Sequence, residues 1–148
     1  MRRFITGLAK TVAVFLGLFL VMQLIPYGRA HSNPPVVAEP AWDSPRTREL
    51  AKRACFDCHS NETKWPDYAS VAPLSWVMQH HVESGRDVMN FSEWNRPYIL
   101  AAESGSQVVR REMPPRTYLM MHDHAKLTDD EREELARGLS LTLGFEWR

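Results

Sequence analysis

Apolar residues are concentrated near the start of the chain, where they form one long run. Phe4 to Ile25 is mostly apolar and is interrupted by Lys10 and Gln23. The 22 residues of this run would form a helix of about 33 Å, enough to cross the hydrocarbon core of a bilayer. Lys10 lies close enough to the helix end for its amine to reach the headgroups. The run therefore predicts a transmembrane helix.

The charges around this run predict its orientation. Arg2, Arg3 and Lys10 stand on one side, and Arg29 alone stands on the other. Positive residues favour the cytoplasmic side, so we expect the rest of the chain outside the bacterial cytoplasmic membrane. Small residues before His31 would also suit cleavage of a signal peptide, but the length of the run favours an uncleaved anchor.

The sequence pattern changes at two positions along the chain and therefore predicts that the chain has three parts. Residues 1–30 would form the anchor. Residues 31–45 contain four prolines and predict an extended, semi-rigid spacer. Residues 46–148 carry the remaining helical patterns and are of a length for one domain.

Apolar spacing and end signals predict several short helices in this domain. Ser44 and Pro45 suit an N-cap and a first helical position, and Gly85 suits the end of a helix. Pro73 and its neighbours indicate a loop between the first two helices. The predicted helices are Arg46–Ala54, Ser75–Val82, Ser92–Glu103 and Gln107–Glu112.

The last helix has the clearest signals. Thr128 and Glu131 form a capping-box pattern at its start. Its apolar stripe comprises Leu135, Ala136, Leu139 and Leu143. No segment of the sequence alternates long enough to predict a sheet. The chain is therefore predicted to be all-α.

Candidate chemistry lies directly after the first predicted helix of the domain. Cys55, Cys58 and His59 form a C-x-x-C-H motif, the spacing of a covalently attached c-type haem. The two thiols would add to the two vinyl groups of one porphyrin, and His59 would bind the iron as its proximal ligand. The chain has only these two cysteines. Together with the helices, the motif predicts a cytochrome c-like helical haem domain with one haem c.

Two other chemistries also use a pair of cysteines at this spacing. A thioredoxin-like redox pair would need a βαβ context, which the pattern does not predict. A zinc site would need further ligands at finger spacing, and neither His80 with His81 nor His122 with His124 has that spacing. The motif therefore favours haem over both.

Met113 is the candidate for the sixth iron ligand. It precedes Pro114 and Pro115, and a residue before proline is displaced from helical conformations, so Met113 should lie in an extended loop. His and Met are a common ligand pair in cytochromes c. A core-filling role for Met113 is the alternative. Four histidines are rival ligands: His80, His81, His122 and His124.

These motifs are part of a longer string that resembles the bacterial haem-binding domain family with a C-x-x-C-H motif. The similarity extends over nearly all of the chain after the spacer and implies haem c binding in the cell envelope. Asp67 follows Trp65-Pro66 where the family usually has an aromatic residue. The string comprises Cys55–Ser60, Asn61–Tyr68, Ala72–Trp76, His81–Arg86, Asn90–Trp94, Met113–Pro115, Tyr118, His122 and Ala125–Thr128.

The motif and its resemblance leave two function classes. The first is an electron carrier, not an enzyme, that exchanges single electrons with a redox protein or a membrane respiratory complex. The second is a haem sensor or small peroxidase with an open or displaceable distal site. The 18 basic and 18 acidic residues balance, so nucleic acid is not an expected partner.

Overall fold

The computed structural model describes residues 2–144. The first residue of the predicted anchor, residue 1, and the last four of the predicted haem domain, residues 145–148, lie outside the described residues. The described chain is all-helical, as predicted, and contains no strand. Three short 3₁₀ helices comprise Asp67–Ser70, Ile99–Glu103 and Asp123–Ala125. The α-helices are α1 (Arg2–Met22), α2 (Pro45–Ala54), α3 (Phe56–His59), α4 (Leu74–Val88), α5 (Ser104–Val109), α6 (Arg116–Leu119) and α7 (Asp129–Leu143).

The contacts divide the chain into two compact units. The first unit contains the residues up to His31 together with Trp65–His80. The second unit contains Ser32–Lys64 and the residues from His81 onward. Helix α4 begins in the first unit and ends in the second.

The first unit contains the predicted membrane helix. Its segment Arg3–Met22 is long and apolar enough to cross a membrane, and none of this segment is buried in the protein. The side chain of Gln23, directly after α1, bonds both backbone groups of Ala72 at 3.0 Å. The helix is therefore joined to a segment that lies 49 residues away in sequence.

In the second unit, α7 packs against both α5 and α2. Ser44 caps α2 through the amide of Thr47, with Pro45 in the first helical turn, as predicted. A Cβ added at Gly138 of α7 would lie 2.0 Å from the Thr47 hydroxyl oxygen, so only glycine permits this approach. These features bring α2 and α7 into close contact.

The predicted start of α7 is confirmed. Thr128 accepts from the amide of Glu131, and the Glu131 carboxylate accepts from the amide of Thr128. Leu135, Ala136 and Leu139 of the predicted stripe are buried, and Leu143 packs against the core. Helix α7 thus forms one wall of the core.

A row of aromatic rings forms another part of that core. Phe56 and Phe91 are stacked with centroids 5.6 Å apart, and Phe91 stacks on Trp94 at 5.8 Å. Trp42 lies 5.1 Å from Phe91, and Tyr98 lies 5.3 Å from Trp94. Phe56 belongs to the C-x-x-C-H segment, so the row supports that segment directly.

The Pro-rich segment contains no helix before α2, and it makes many contacts within the second unit. The amides of Val37 and Ala38 donate to the Ser92 carbonyl, and Ala38 accepts from the amide of Trp94. The guanidinium of Arg48 donates to Glu39. A free spacer would make no such bonds, so residues 32–45 here act as part of the unit's packing.

The same bonds explain why the prediction of a helix over Ser92–Glu103 is wrong in its first half. The Ser92 carbonyl is used by the Pro-rich segment, and its amide donates to the side chain of Asn90. Turns occupy the chain up to Arg96, and helical structure begins only at Ile99. Gln107–Glu112 is also displaced, because helix α5 begins earlier, at Ser104, and ends at Val109.

Gly85 does not end its helix, contrary to the prediction. Helix α4 continues to Val88. A Cβ added at Gly85 would lie 2.4 Å from the carbonyl oxygen of Cys58. Glycine is therefore needed at this position for close approach to the C-x-x-C-H turn and not for a helix end.

Candidate functional site

The C-x-x-C-H residues occupy a single helical turn. Cys55 is both the last cap of α2 and the first cap of α3. The amides of Cys58 and His59 both donate to the Cys55 carbonyl, at 3.2 and 2.9 Å. Residues three and four apart on a helix lie on the same face. The turn therefore presents Cys55, Cys58 and His59 together.

The His59 ring is oriented by the backbone of the segment that ends α4. Its Nδ1 lies 2.8 Å from the Gly85 carbonyl and 3.1 Å from the Met89 carbonyl. Nδ1 must carry the proton to donate to these oxygens, which leaves the Nε2 lone pair available to a metal. Burial lowers the pKa of His59, an effect larger than the opposing one of the two backbone bonds. The ring is thus held as the neutral imidazole, the form in which a histidine can bind a metal.

Neither thiol has the character of a reactive redox cysteine. Burial raises the pKa of Cys55 to about 12, with a smaller contribution from the charge of Cys58. Burial, and then the charge of Asp57, raises the pKa of Cys58 to about 11. Thioredoxin-like nucleophiles need the opposite shift, because the thiolate is the reactive form.

An apolar cavity of about 150 Å³ lies beside this turn in the second unit. Cys55, His59 and Met113 all line it. Cys58 does not line it, although it belongs to the same turn. The remaining lining residues are mainly apolar: Val88, Met89, Phe91, Leu100, Glu103, Ser104, Gln107, Val108 and Leu139.

Met113 reaches the cavity from a non-helical loop, as predicted. The amides of Glu112 and Met113 donate back to the Gln107 carbonyl, at 3.0 and 3.2 Å. This turn brings the chain after α5 back toward the cavity that α5 itself lines. Met113 is 38% exposed.

The four rival histidines do not line this cavity. His122 is buried and stacks on Tyr118 with centroids 3.9 Å apart. The Nε2 of His124 lies 3.5 Å from a carboxylate oxygen of Asp57. His80 belongs to the first unit, and His81 is exposed.

Sequence reasoning missed the role of Asp57, the residue between the two cysteines. One of its carboxylate oxygens accepts from the Tyr118 hydroxyl at 2.5 Å, and the other accepts from the amide of Lys64 at 2.9 Å. Its backbone carbonyl accepts from the hydroxyl of Thr63 at 2.8 Å. Tyr118 follows Met113 closely in the chain, so this bond joins the Met113 region to the C-x-x-C-H turn.

A second network holds the chain that follows His59. The Arg86 guanidinium donates to the Ser60 carbonyl at 2.8 Å and to the Thr63 hydroxyl at 3.1 Å. The buried Asn90 side chain donates to that of Asn61 at 2.8 Å. These residues match the predicted motif string, but the string gave no partner for any of them.

The donor set fits a haem better than an ion held by protein side chains alone. Among the residues that the structure describes, no three His, Cys, Asp or Glu side chains are grouped to hold a metal. One imidazole nitrogen, one thioether sulfur and a thiol instead share an apolar cavity. This combination suits a flat, largely apolar group that brings its own iron.

Comparison with known proteins agrees with this geometry. No curated protein and no solved structure matches the chain significantly. The family model described as "Haem-binding domain" matches residues 17–140, which include the C-x-x-C-H turn, Met113 and most of α7. The chain therefore belongs to the haem-binding domain family.

Proposed function

We propose that this haem-binding protein attaches one haem c covalently and carries single electrons at the outer face of the bacterial cytoplasmic membrane. Cys55 and Cys58 would form the thioether bonds, and His59 and Met113 would be the two protein ligands of the iron. The observation that carries the proposal is that Cys55, His59 and Met113 line one apolar cavity. Bound haem supplies an iron that changes between ferrous and ferric by one electron.

The C-x-x-C-H turn supports covalent attachment. Each thiol would add its S–H across one vinyl double bond, so that a C–S bond forms and the proton ends on carbon. This addition needs no oxidant. Cys55 and Cys58 lie three residues apart in one helical turn, which keeps the two thiols close together, and Gly85 lets α4 pack directly against the turn.

The cavity residues support electron transfer. The His59 ring is fixed by two carbonyls, so it need not reorient when the iron changes charge. A Met113 thioether would favour the ferrous iron and raise the reduction potential above that of a bis-His site. The apolar lining acts in the same direction, because it disfavours the additional charge of the ferric state.

Helix α1 supports a membrane location. It is long and apolar enough to serve as the anchor. The positive residues at its start favour an orientation with the haem unit outside the cytoplasm. The expected partners are a redox protein of the same compartment or a membrane respiratory complex.

A haem stain that survives denaturation tests covalent attachment. Protein exported together with a haem-maturation system should keep its haem on a denaturing gel. The double variant Cys55→Ala with Cys58→Ala should lose it. Haem that leaves the wild type on denaturation, or a stain that persists in the double variant, would contradict the proposal.

A gas-binding sensor or small peroxidase is the second candidate, and the partial exposure of Met113 in a loop favours it. A ligand held in this way can be displaced. Rapid CO binding by the reduced wild-type protein would support this function, whereas slow binding would support the electron carrier.

A further inference from the structure

The first unit has an apolar surface that its own residues leave uncovered. Val71, Leu74 and Val77 are 42%, 43% and 47% exposed. Leu74 and Val77 lie three residues apart in the first turns of α4 and therefore share a face. Ser75 and Met78 on the same turns are buried. The segment thus has one buried face and one apolar face toward the outside.

Gln23 places this surface next to the end of α1. Its side-chain amide donates to the Ala72 carbonyl at 3.0 Å, and its side-chain oxygen accepts from the Ala72 amide at 3.0 Å. Val71 directly precedes Ala72 and Leu74 follows two residues after it, so the surface lies close to the end of α1. Gly28 strengthens the connection, because a Cβ there would lie 2.1 Å from the Ser75 carbonyl oxygen.

The length of α1 places this connection at the edge of the bilayer. The apolar segment Arg3–Met22 has 20 residues. At a rise of 1.5 Å per residue, it would span about 30 Å, which is the thickness of the hydrocarbon core. Gln23 then lies where hydrocarbon meets headgroups, and Ala72 lies at the same level.

We propose that Val71, Leu74 and Val77 form a lipid-binding surface that lies in the outer interface of the bilayer beside α1. The proposal rests on the anchoring role of α1. Tyr27 and Trp65 belong to the same unit, and aromatic side chains of this kind are enriched at the depth of the interface. The Arg29 guanidinium donates to the Gln23 side chain at 3.1 Å, at the level of the headgroups.

Phospholipid suits this surface better than a protein partner. Val71 to Met78 contains no charged residue. Leu24 and Ile25, which continue from α1, are also exposed, at 80% and 48%. The apolar side chains therefore continue from the transmembrane helix onto α4, as in a helix that lies in the interface with its apolar face toward the acyl chains.

Site-specific photo-crosslinking in the full-length protein tests this surface. The photoreactive residue benzoylphenylalanine would replace Val77 in protein reconstituted into nanodiscs of phosphatidylcholine and phosphatidylglycerol. Leu18 in α1 is the positive control, and the exposed Asp67 of the same unit is the matched polar control. We expect lipid adducts, detected by mass spectrometry, at Val77 and Leu18, severalfold above those at Asp67.

The possible results distinguish a failure of the lipid-binding surface from a failure of the anchoring role of α1. Lipid adducts at Leu18, with Val77 no higher than Asp67, would overturn the surface and leave the anchor intact. A crosslink between two protein chains at Val77, in place of a lipid adduct, would overturn the lipid-binding surface and show that a second copy of the chain covers it. Absence of lipid adducts at Leu18 would contradict the anchor, and the surface would fail with it. Circular dichroism of each substituted protein checks that it is folded.

Discussion

At the scale of single residues, backbone carbonyls and not a side-chain partner determine the orientation of His59. The Gly85 and Met89 carbonyls fix its Nδ1, and the C-x-x-C-H motif contains no signal of either contact. The motif could propose His59 as a ligand because its spacing is local. The residues that orient the His59 ring lie 26 and 30 positions away and are brought there only by the fold.

Met113→Ala tests the proposed distal ligand. A thioether favours ferrous iron, so its removal should lower the reduction potential, abolish the near-infrared sulfur-to-iron charge-transfer band and allow rapid CO binding. Met120→Ala is the matched control, because Met120 is 80% exposed and does not line the cavity. If Met113→Ala leaves the spectrum and the potential unchanged, then His80, His81, His122 and His124 are the next positions to test.

Tyr118→Phe tests the bond between the Met113 region and the C-x-x-C-H turn. It removes the hydroxyl that donates to Asp57 and keeps the ring that stacks on His122. Hydrogen bonds to charged groups contribute about 1.5–3 kcal/mol, so we expect a loss of this order in the free energy of unfolding. Urea titration followed by circular dichroism measures it.

Tyr98→Phe is the control for this substitution, since the Tyr98 hydroxyl bonds the half-exposed Arg96. Tyr98→Phe should lose clearly less free energy of unfolding than Tyr118→Phe. Equal losses in the two variants would show that the bond to Asp57 has no special weight.

At the scale of elements, the sequence predicted the helix starts that have a local cap better than it predicted the other helix boundaries. The caps at Ser44 and Thr128 are local hydrogen bonds, and both formed as predicted. Gly85 and Ser92 misled the prediction because their roles depend on distant partners. Gly85 permits contact with Cys58, and the Ser92 carbonyl is used by Val37 and Ala38. Periodicity contains no information about such partners.

The ion pair between Arg53 of α2 and Glu131 of α7 makes the free energy of unfolding depend on pH. The hydrogen bond from Arg53, followed by the capping bond to Thr128, lowers the pKa of Glu131 from 4.5 to about 2. A depressed carboxyl pKa contributes stability above the unfolded value, and this contribution is lost as the pH falls from about 4.5 toward 2. Glu131→Gln keeps a capping oxygen but removes the charge.

We expect Glu131→Gln to unfold at lower urea than wild type at pH 7. The difference should shrink toward zero as the pH falls to about 2, where about half of the wild-type Glu131 is protonated. Glu134→Gln is the control, because Glu134 pairs with Arg46 while 48% exposed, and exposed pairs contribute little. If the difference in the urea midpoint between Glu131→Gln and wild type stays constant from pH 7 to about pH 2, the charge of Glu131 is not the source of the stabilisation.

At the scale of the whole molecule, the sequence predicted a membrane helix, a haem motif and an all-α chain, but it did not predict which segments pack together. Residues 65–80 lie within the predicted domain 46–148, and nothing in the sequence pattern indicated that their contacts would group them with α1. Gln23 appeared only as an interruption of the apolar run. Its two bonds to Ala72 show that this polar residue joins segments 49 positions apart.

Haem should be part of the core of the second unit, and its removal tests this at the scale of the molecule. The cavity lies among Phe91, Val108 and Leu139, which belong to the core or line it. Leaving an apolar cavity of about 150 Å³ unfilled costs on the order of a few kcal/mol. We expect full-length protein made without haem maturation to melt at lower temperature than the haem-loaded protein in the same detergent, as measured by circular dichroism.

The double variant Cys55→Ala with Cys58→Ala, supplied with free haem, separates the effect of filling the cavity from the effect of the covalent bonds. Its melting temperature should lie between the two. Equal melting temperatures for all three proteins would show that haem lies outside the core.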